Sequence, residues 1–133
     1  MEPEPAQIRE WLLKARSDWK AAEVALASAS DLQAIAAFHC QAIEKLLKAF
    51  LVTLPVEPPR THDLRYLAEY CARHDATFAA LALRVGPLTR YAVHVRYPGL
   101  PDPTQDDVQA ALHLVAEVWD FILPHIPPAA RPQ

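Results

Sequence analysis

The sequence predicts an all-α fold, an up-and-down bundle of about five helices that begins with two long antiparallel ones. Three observations carry this. Thirteen prolines stand against two glycines, and none of Asn-Gly, Asp-Gly or Gly-Gly occurs. Tight hairpins use such pairs to reach positive φ, so sandwiches and barrels are disfavoured. The prolines fall in clusters, at Pro3 and Pro5, at Pro55, Pro58 and Pro59, at Pro87, at Pro98, Pro101 and Pro103, and from Pro124 onward, with runs of helix length between them. Within those runs apolar residues recur at steps of three and four, and nothing alternates with period two for long enough to make a strand.

The first run places Ile8, Trp11, Leu12, Ala15, Trp19, Ala22 and Leu26 on one stripe, with Arg9, Lys14, Arg16, Lys20 and Glu23 around the rest of the wheel. Ser30 and Gln33 have the spacing of a capping box for a second helix. Its wide apolar face holds Leu32, Ile35, Ala36, His39, Ala42, Ile43, Leu46, Leu47, Phe50 and Leu51, and it ends before Pro55. At about 1.5 Å per residue each helix is roughly 30 to 35 Å long, and so short a turn between them makes them antiparallel. Thr61 is a candidate N-cap for a third helix, with Asp63 in the first turn and Leu64, Leu67, Ala68 and Cys71 at helical spacing. Asp75 can cap a fourth, with Phe78, Ala79, Leu81, Ala82 and Val85, which Gly86-Pro87 should kink or break before it resumes at Leu88 and ends at Pro98. Thr104, followed by Asp106 and Asp107, opens the last helix, whose stripe is Val108, Ala111, Leu112, Val115, Trp119, Ile122 and Leu123. Residues 1–126 thus read as one domain, and Pro127 to Gln133 as a disordered tail.

Composition narrows the function. A hydrophobic share of 52% over 133 residues suits one domain with a proper core. A formal charge of -3 provides no global positive field for duplex nucleic acid, so any such binding must be local. Only Cys40 and Cys71 are thiols, and Met1-Glu2-Pro3-Glu4-Pro5 has no secretory pattern, so a reduced, cytoplasmic protein is expected. No apolar run approaches the roughly 20 residues of a membrane span. Gly86 and Gly99 cannot build a phosphate loop, Ser17, Ser28 and Ser30 suggest no nucleophile, and no Cys or His spacing fits a metal site. No cofactor or metal is expected.

One polar stripe has chemistry to offer. At about 100° per residue, Arg90, His94 and Tyr97 fall within about 60° of one another on the helix after Pro87, with Leu88, Tyr91 and Val95 on another face. The stretch from Ala76 to Pro101 contains Arg84, Arg90 and Arg96 and no acidic residue. Arg offers a planar multidentate donor to phosphate, His a proton near neutral pH, and Tyr a stacking face. The competing reading is a solvated or dimer-facing surface paired with acids of another helix. Glu44 and Lys48, at i and i+4, either position a ligand or support an exposed helix face. His62 and Asp63 read as helix-terminus residues, His39 as a core or interface histidine, and the two cysteines as small buried hydrophobes.

Three pieces in order resemble a known family. Phe38-His39-Cys40-Gln41-Ala42-Ile43-Glu44-Lys45-Leu46-Leu47-Lys48-Ala49-Phe50-Leu51, then Thr61-His62-Asp63-Leu64, then Arg96-Tyr97-Pro98 are similar to the HEPN family (higher eukaryotes and prokaryotes nucleotide-binding domain). The resemblance implies a dimeric helical bundle paired with a minimal nucleotidyltransferase, in a toxin-antitoxin or substrate-binding pair. Many members are metal-independent ribonucleases with an Arg, four to six intervening residues, and a His. Here Arg90 and His94 are separated by three residues and Arg84 and His94 by nine, so the pattern is not met.

The resulting expectation is a dimer that holds a nucleotide or single-stranded RNA phosphate with Arg90, His94, Arg96 and Tyr97 and docks a nucleotidyltransferase. The alternatives are an endoribonuclease using Arg90 and His94, or a ligand-free dimeric scaffold. Trp11, Trp19 and Trp119, with the broad apolar second helix, offer more hydrophobic face than one bundle needs, so a tight homodimer is expected. Light scattering should then give about twice the chain mass, and a monomer mass of 14.8 kDa in dilute solution would contradict it.

Overall fold

The computed structural model describes residues 4–28, 31–91 and 101–132, and among them it is helical, with no strand. Five α-helices are present among the described residues: α1 (Pro5–Ala27), α2 (Leu32–Val52), α3 (Leu64–Ala72), α4 (Phe78–Val85) and α5 (Gln105–Ile122). Three 3₁₀ segments accompany them, Gly86–Tyr91, Leu123–His125 and Pro128–Ala130. The helix α2 is central: thirteen of its 21 residues are buried, against four of 23 in α1. It packs against α1, α3, α5 and the first 3₁₀ segment. Its antiparallel register with α1 shows in two contacts, Lys45 Nζ donating to the Asp18 carboxylate and the Lys48 ammonium 5.9 Å from the centre of the Trp11 ring.

Caps fall one or two residues from the expected position in three cases. The N-cap of α2 is Asp31, whose carboxylate accepts from Gln33 N–H; Ser30 lies outside the described residues. Asp63 rather than Thr61 caps α3, accepting from Tyr66 N–H, while the Thr61 hydroxyl accepts from Asp63 N–H one step earlier. The N-cap of α4 is Thr77, with no side-chain cap bond, and Asp75 instead accepts from the Thr77 amide and hydroxyl in the turn before it. Thr104 and Asp107 form the full reciprocal capping box of α5.

Gly86-Pro87 does break α4, but the chain tightens into 3₁₀ geometry from Gly86 to Tyr91 instead of resuming as an α-helix. Gly86 is also where α3 comes close: a Cβ there would sit 3.2 Å from Arg65 Cβ.

Two other expectations shift. The buried stripe of α5 is Val108, Ala111, Leu114, Val115, Val118 and Ile122, which turns Leu112 and Trp119 to its edge. Trp119 then meets Trp19 at 6.0 Å between ring centres, so these rings close the rim of the protomer's own core. At the chain end, where composition suggested a frayed tail, Ala130 is buried, Arg9 donates to the Ala129 carbonyl, and Arg131 Nε donates to Ile126 O at 2.9 Å. Phe50, Phe78 and Phe121 pack around His125, whose Nδ1 lies 2.9 Å from Phe121 O and Nε2 3.0 Å from Asp75 Oδ2.

Both cysteines are buried, with thiols pushed up to about 12 by burial, and behave as inert apolar fillers. His39 is fully buried on α2 and neither ring nitrogen has a hydrogen-bond partner among the described residues. Burial therefore holds its imidazole neutral, lowered from 6.5 to about 4. The unfolded chain takes up this proton below about 6.5 while the folded chain resists until about 4, so stability present at neutral pH is lost as pH falls through that window. Through this one group the protein should be about 2 kcal/mol less stable at pH 5 than at pH 7. In urea titrations at both pH values, His39→Leu is expected to shrink the difference by that amount; an unchanged difference would refute the assignment.

Candidate functional site

Arg90 stands exposed near the end of the first 3₁₀ segment, its guanidinium carbon 4.9 Å from the centre of the Tyr91 ring. Tyr91 is buried, and Arg90 and Asp107 both act on its phenol. Burial pushes the phenol up, and the Arg90 charge beside it pulls the other way. Asp107 is held below the usual carboxylate range, first by the Thr104 amide and hydroxyl and further by Tyr91 and Arg90. Arginine, phenol and carboxylate thus gather where the end of the 3₁₀ segment meets the start of α5.

This changes two sequence readings. A 3₁₀ segment turns about 120° per residue, so the 100° wheel does not apply to Arg90 and Tyr91 themselves. His94, Arg96 and Tyr97 lie outside the described residues. The acid-free stretch in sequence is also not acid-free in space. Arg84 pairs with Glu117 of α5, lowering that carboxyl, and Arg90 shares its surroundings with Asp107. The local positive field is partly cancelled by α5.

A second constellation forms between α2 and the loop before α3. Glu44, read from its i,i+4 spacing as part of an exposed face, is buried. Its carboxylate is divided between two partners: Oε2 lies 3.1 Å from Lys48 Nζ, and Oε1 lies 2.7 Å from His62 Nδ1. Lys48 is itself only 12% exposed, whereas His62 is 73% exposed. A carboxylate on Nδ1 favours the tautomer with its proton there, leaving Nε2 as the solvent-facing nitrogen. Such a pair can hold an anion when protonated, or exchange a proton when neutral.

The two constellations are stitched together. Leu64 N–H donates to Thr89 Oγ1 at 3.1 Å, tying the residue two after His62 to the residue before Arg90. The role of His62 was not legible locally, since its partner Glu44 lies eighteen residues earlier on another element. Among the described residues no group of three His, Cys, Asp or Glu side chains could hold a metal ion.

These features define a small all-helical module, built on one buried helix, with cationic and titratable side chains collected where the loop before α3 meets the 3₁₀ segment. The HEPN domain model matches residues 8–126, and the chain belongs to that family. No curated protein and no solved structure matches it significantly. Among the described residues no helix is long and apolar enough to cross a membrane.

Because Lys48 cannot reach much water, Glu44→Ala leaves a nearly buried ammonium unpaired and should cost about 3 kcal/mol. His62→Ala removes a mostly solvated partner and should cost less than about 1 kcal/mol. Denaturant titration of the two variants measures the difference; equal losses would mean that His62, not Lys48, balances the carboxylate.

Proposed function

We propose that this HEPN domain is a nucleotide- or RNA-phosphate-binding dimer that partners a minimal nucleotidyltransferase in a toxin-antitoxin type module of the cytoplasm. The ligand surface is the segment bearing Arg90, His94, Arg96 and Tyr97. The observation that carries the reading is Arg90 itself: a solvent-exposed guanidinium held in place by Tyr91 and tied through Thr89 to the loop of His62. A guanidinium already oriented loses less freedom on engaging a phosphate than a free one would. The metal-independent ribonuclease using Arg90 and His94 is the second reading. It gains from the Glu44–His62 pair, which holds an exposed imidazole at the same end of the bundle. Binding is favoured because the Arg90–His94 spacing is short by a residue and because Asp107 moderates the Arg90 charge.

Arg90→Ala is expected to remove a charge-assisted contact of about 1.5 to 3 kcal/mol, weakening AMP or short single-stranded RNA binding roughly ten- to a hundredfold. Binding is read by calorimetry, and cleavage is followed on a labelled RNA in parallel. Loss of cleavage with retained binding in His94→Ala or His62→Ala would establish the ribonuclease reading instead. If no variant changes either quantity, this surface is not the ligand site.

A further inference from the structure

A groove of about 820 Å³ runs between the first half of α1 and the chain that leaves α2, separated from Glu44 by Trp11 and Lys48. Trp11, Val52, Leu54 and Val56 form its apolar walls, and Glu4, Glu10 and Glu57 stand along it. Lys14 is the one basic lining residue and is paired with Glu10 at 3.2 Å, so three carboxylates face one ammonium and the groove carries a net charge of -2 (one minus three). Its far wall is braced by local bonds: Thr53 Oγ1 donates to Phe50 O at 2.6 Å, Leu54 N–H to Leu51 O at 3.0 Å and Val56 N–H to Leu54 O at 2.8 Å. The Lys48 ammonium lies against Trp11 from α2, and the remaining indole surface lines the groove.

That sign excludes a nucleotide. Phosphates would meet three carboxylates, whereas a cation is attracted. The dimensions point beyond a small ion: from Glu4 to Lys14 the α1 wall runs about 15 Å at 1.5 Å per residue, the reach of four to five extended residues. An occupant must combine cationic heads with apolar stems, and arginine does both, stacking on an indole and forking onto carboxylates.

We infer that this groove is a docking site for an extended, arginine-containing peptide segment of a partner protein, with the guanidinium groups at Glu10 and Glu57 and the intervening apolar side chains against Trp11, Leu54 and Val56. The site is independent of phosphate binding at Arg90 and stands or falls separately from it.

The test uses fluorescence anisotropy of the full chain with a labelled pentapeptide of alternating leucine and arginine, and a leucine–glutamate counterpart. The arginine peptide is expected to bind and the glutamate peptide not to. The double variant E10Q/E57Q, which changes charge but not shape, should weaken arginine-peptide binding at least tenfold, and raised salt should weaken it further. The double variant E23Q/D120N, the same loss of charge elsewhere on the surface, should leave it unchanged, as should R90A. Absence of binding, equal binding to E10Q/E57Q, or equal loss in E23Q/D120N would overturn the proposal. So would a chain that only self-associates through this groove, detected as a dimer mass that E10Q/E57Q abolishes without any peptide binding.

Discussion

The structure depends on burying a helix that carries charge. Because α2 is covered by α1, α3, α5 and the first 3₁₀ segment, a polar side chain on it must find a partner inside the bundle or remain neutral. Glu44 takes the first course. Its charge is met within α2 by Lys48 and across the bundle by His62, which fixes where the loop before α3 lies. His39 takes the second: with no partner among the described residues, it stays uncharged to low pH. The same helix thus contains a charge that organises its surroundings and an imidazole that makes the fold acid-sensitive.

The placement of the loop has consequences further along the chain. Once His62 is held against Glu44, the α3 N-terminus follows at Asp63, and Leu64 N–H reaches Thr89. The 3₁₀ segment is anchored at its other end by Arg90, Tyr91 and Asp107 to the capping box of α5. Each bond is individually modest, but together they set the position of the exposed Arg90 from three elements. An arginine placed in this way presents a fixed donor fork, which matters more for recognising a phosphate than the net charge of the region. The region's field is indeed weakened by Glu117 and Asp107.

Helix existence and order were legible in the sequence because proline clusters and three-four spacing are local signals, and the start of the last helix at Thr104 was legible too, though not its reciprocal bonds with Asp107. The other caps moved because adjacent Ser, Thr and Asp residues compete for one role: Asp31 and Asp63 each have an oxygen-bearing neighbour that looks equally suited. Pro87, visible in the sequence, supplies no amide hydrogen, and the turn after it tightens into 3₁₀ geometry as far as Tyr91, while His94 and Tyr97 lie outside the described residues. What no local pattern could disclose is pairing across elements. Glu44 with His62, Arg84 with Glu117 and Tyr91 with Asp107 join residues far apart in the chain, and these pairs decide which charges remain available to a ligand.

The availability of charge divides the described surface by sign. At the 3₁₀ end, Arg90 and His62 suit an anion; along the first half of α1, three glutamates against the one ammonium of Lys14 suit a cation. The α2 helix reaches both, since Glu44 faces His62 while Lys48 joins that carboxylate to Trp11 at the groove wall. Lys48 therefore stands between the two fields. Neutralising it would leave Glu44 uncompensated and remove the cation behind Trp11, disturbing both surfaces through one residue that touches neither ligand. Among the described residues the Glu44–Lys48 pair is the most deeply buried ion pair, and it stands between the Arg90 end and the Trp11 groove.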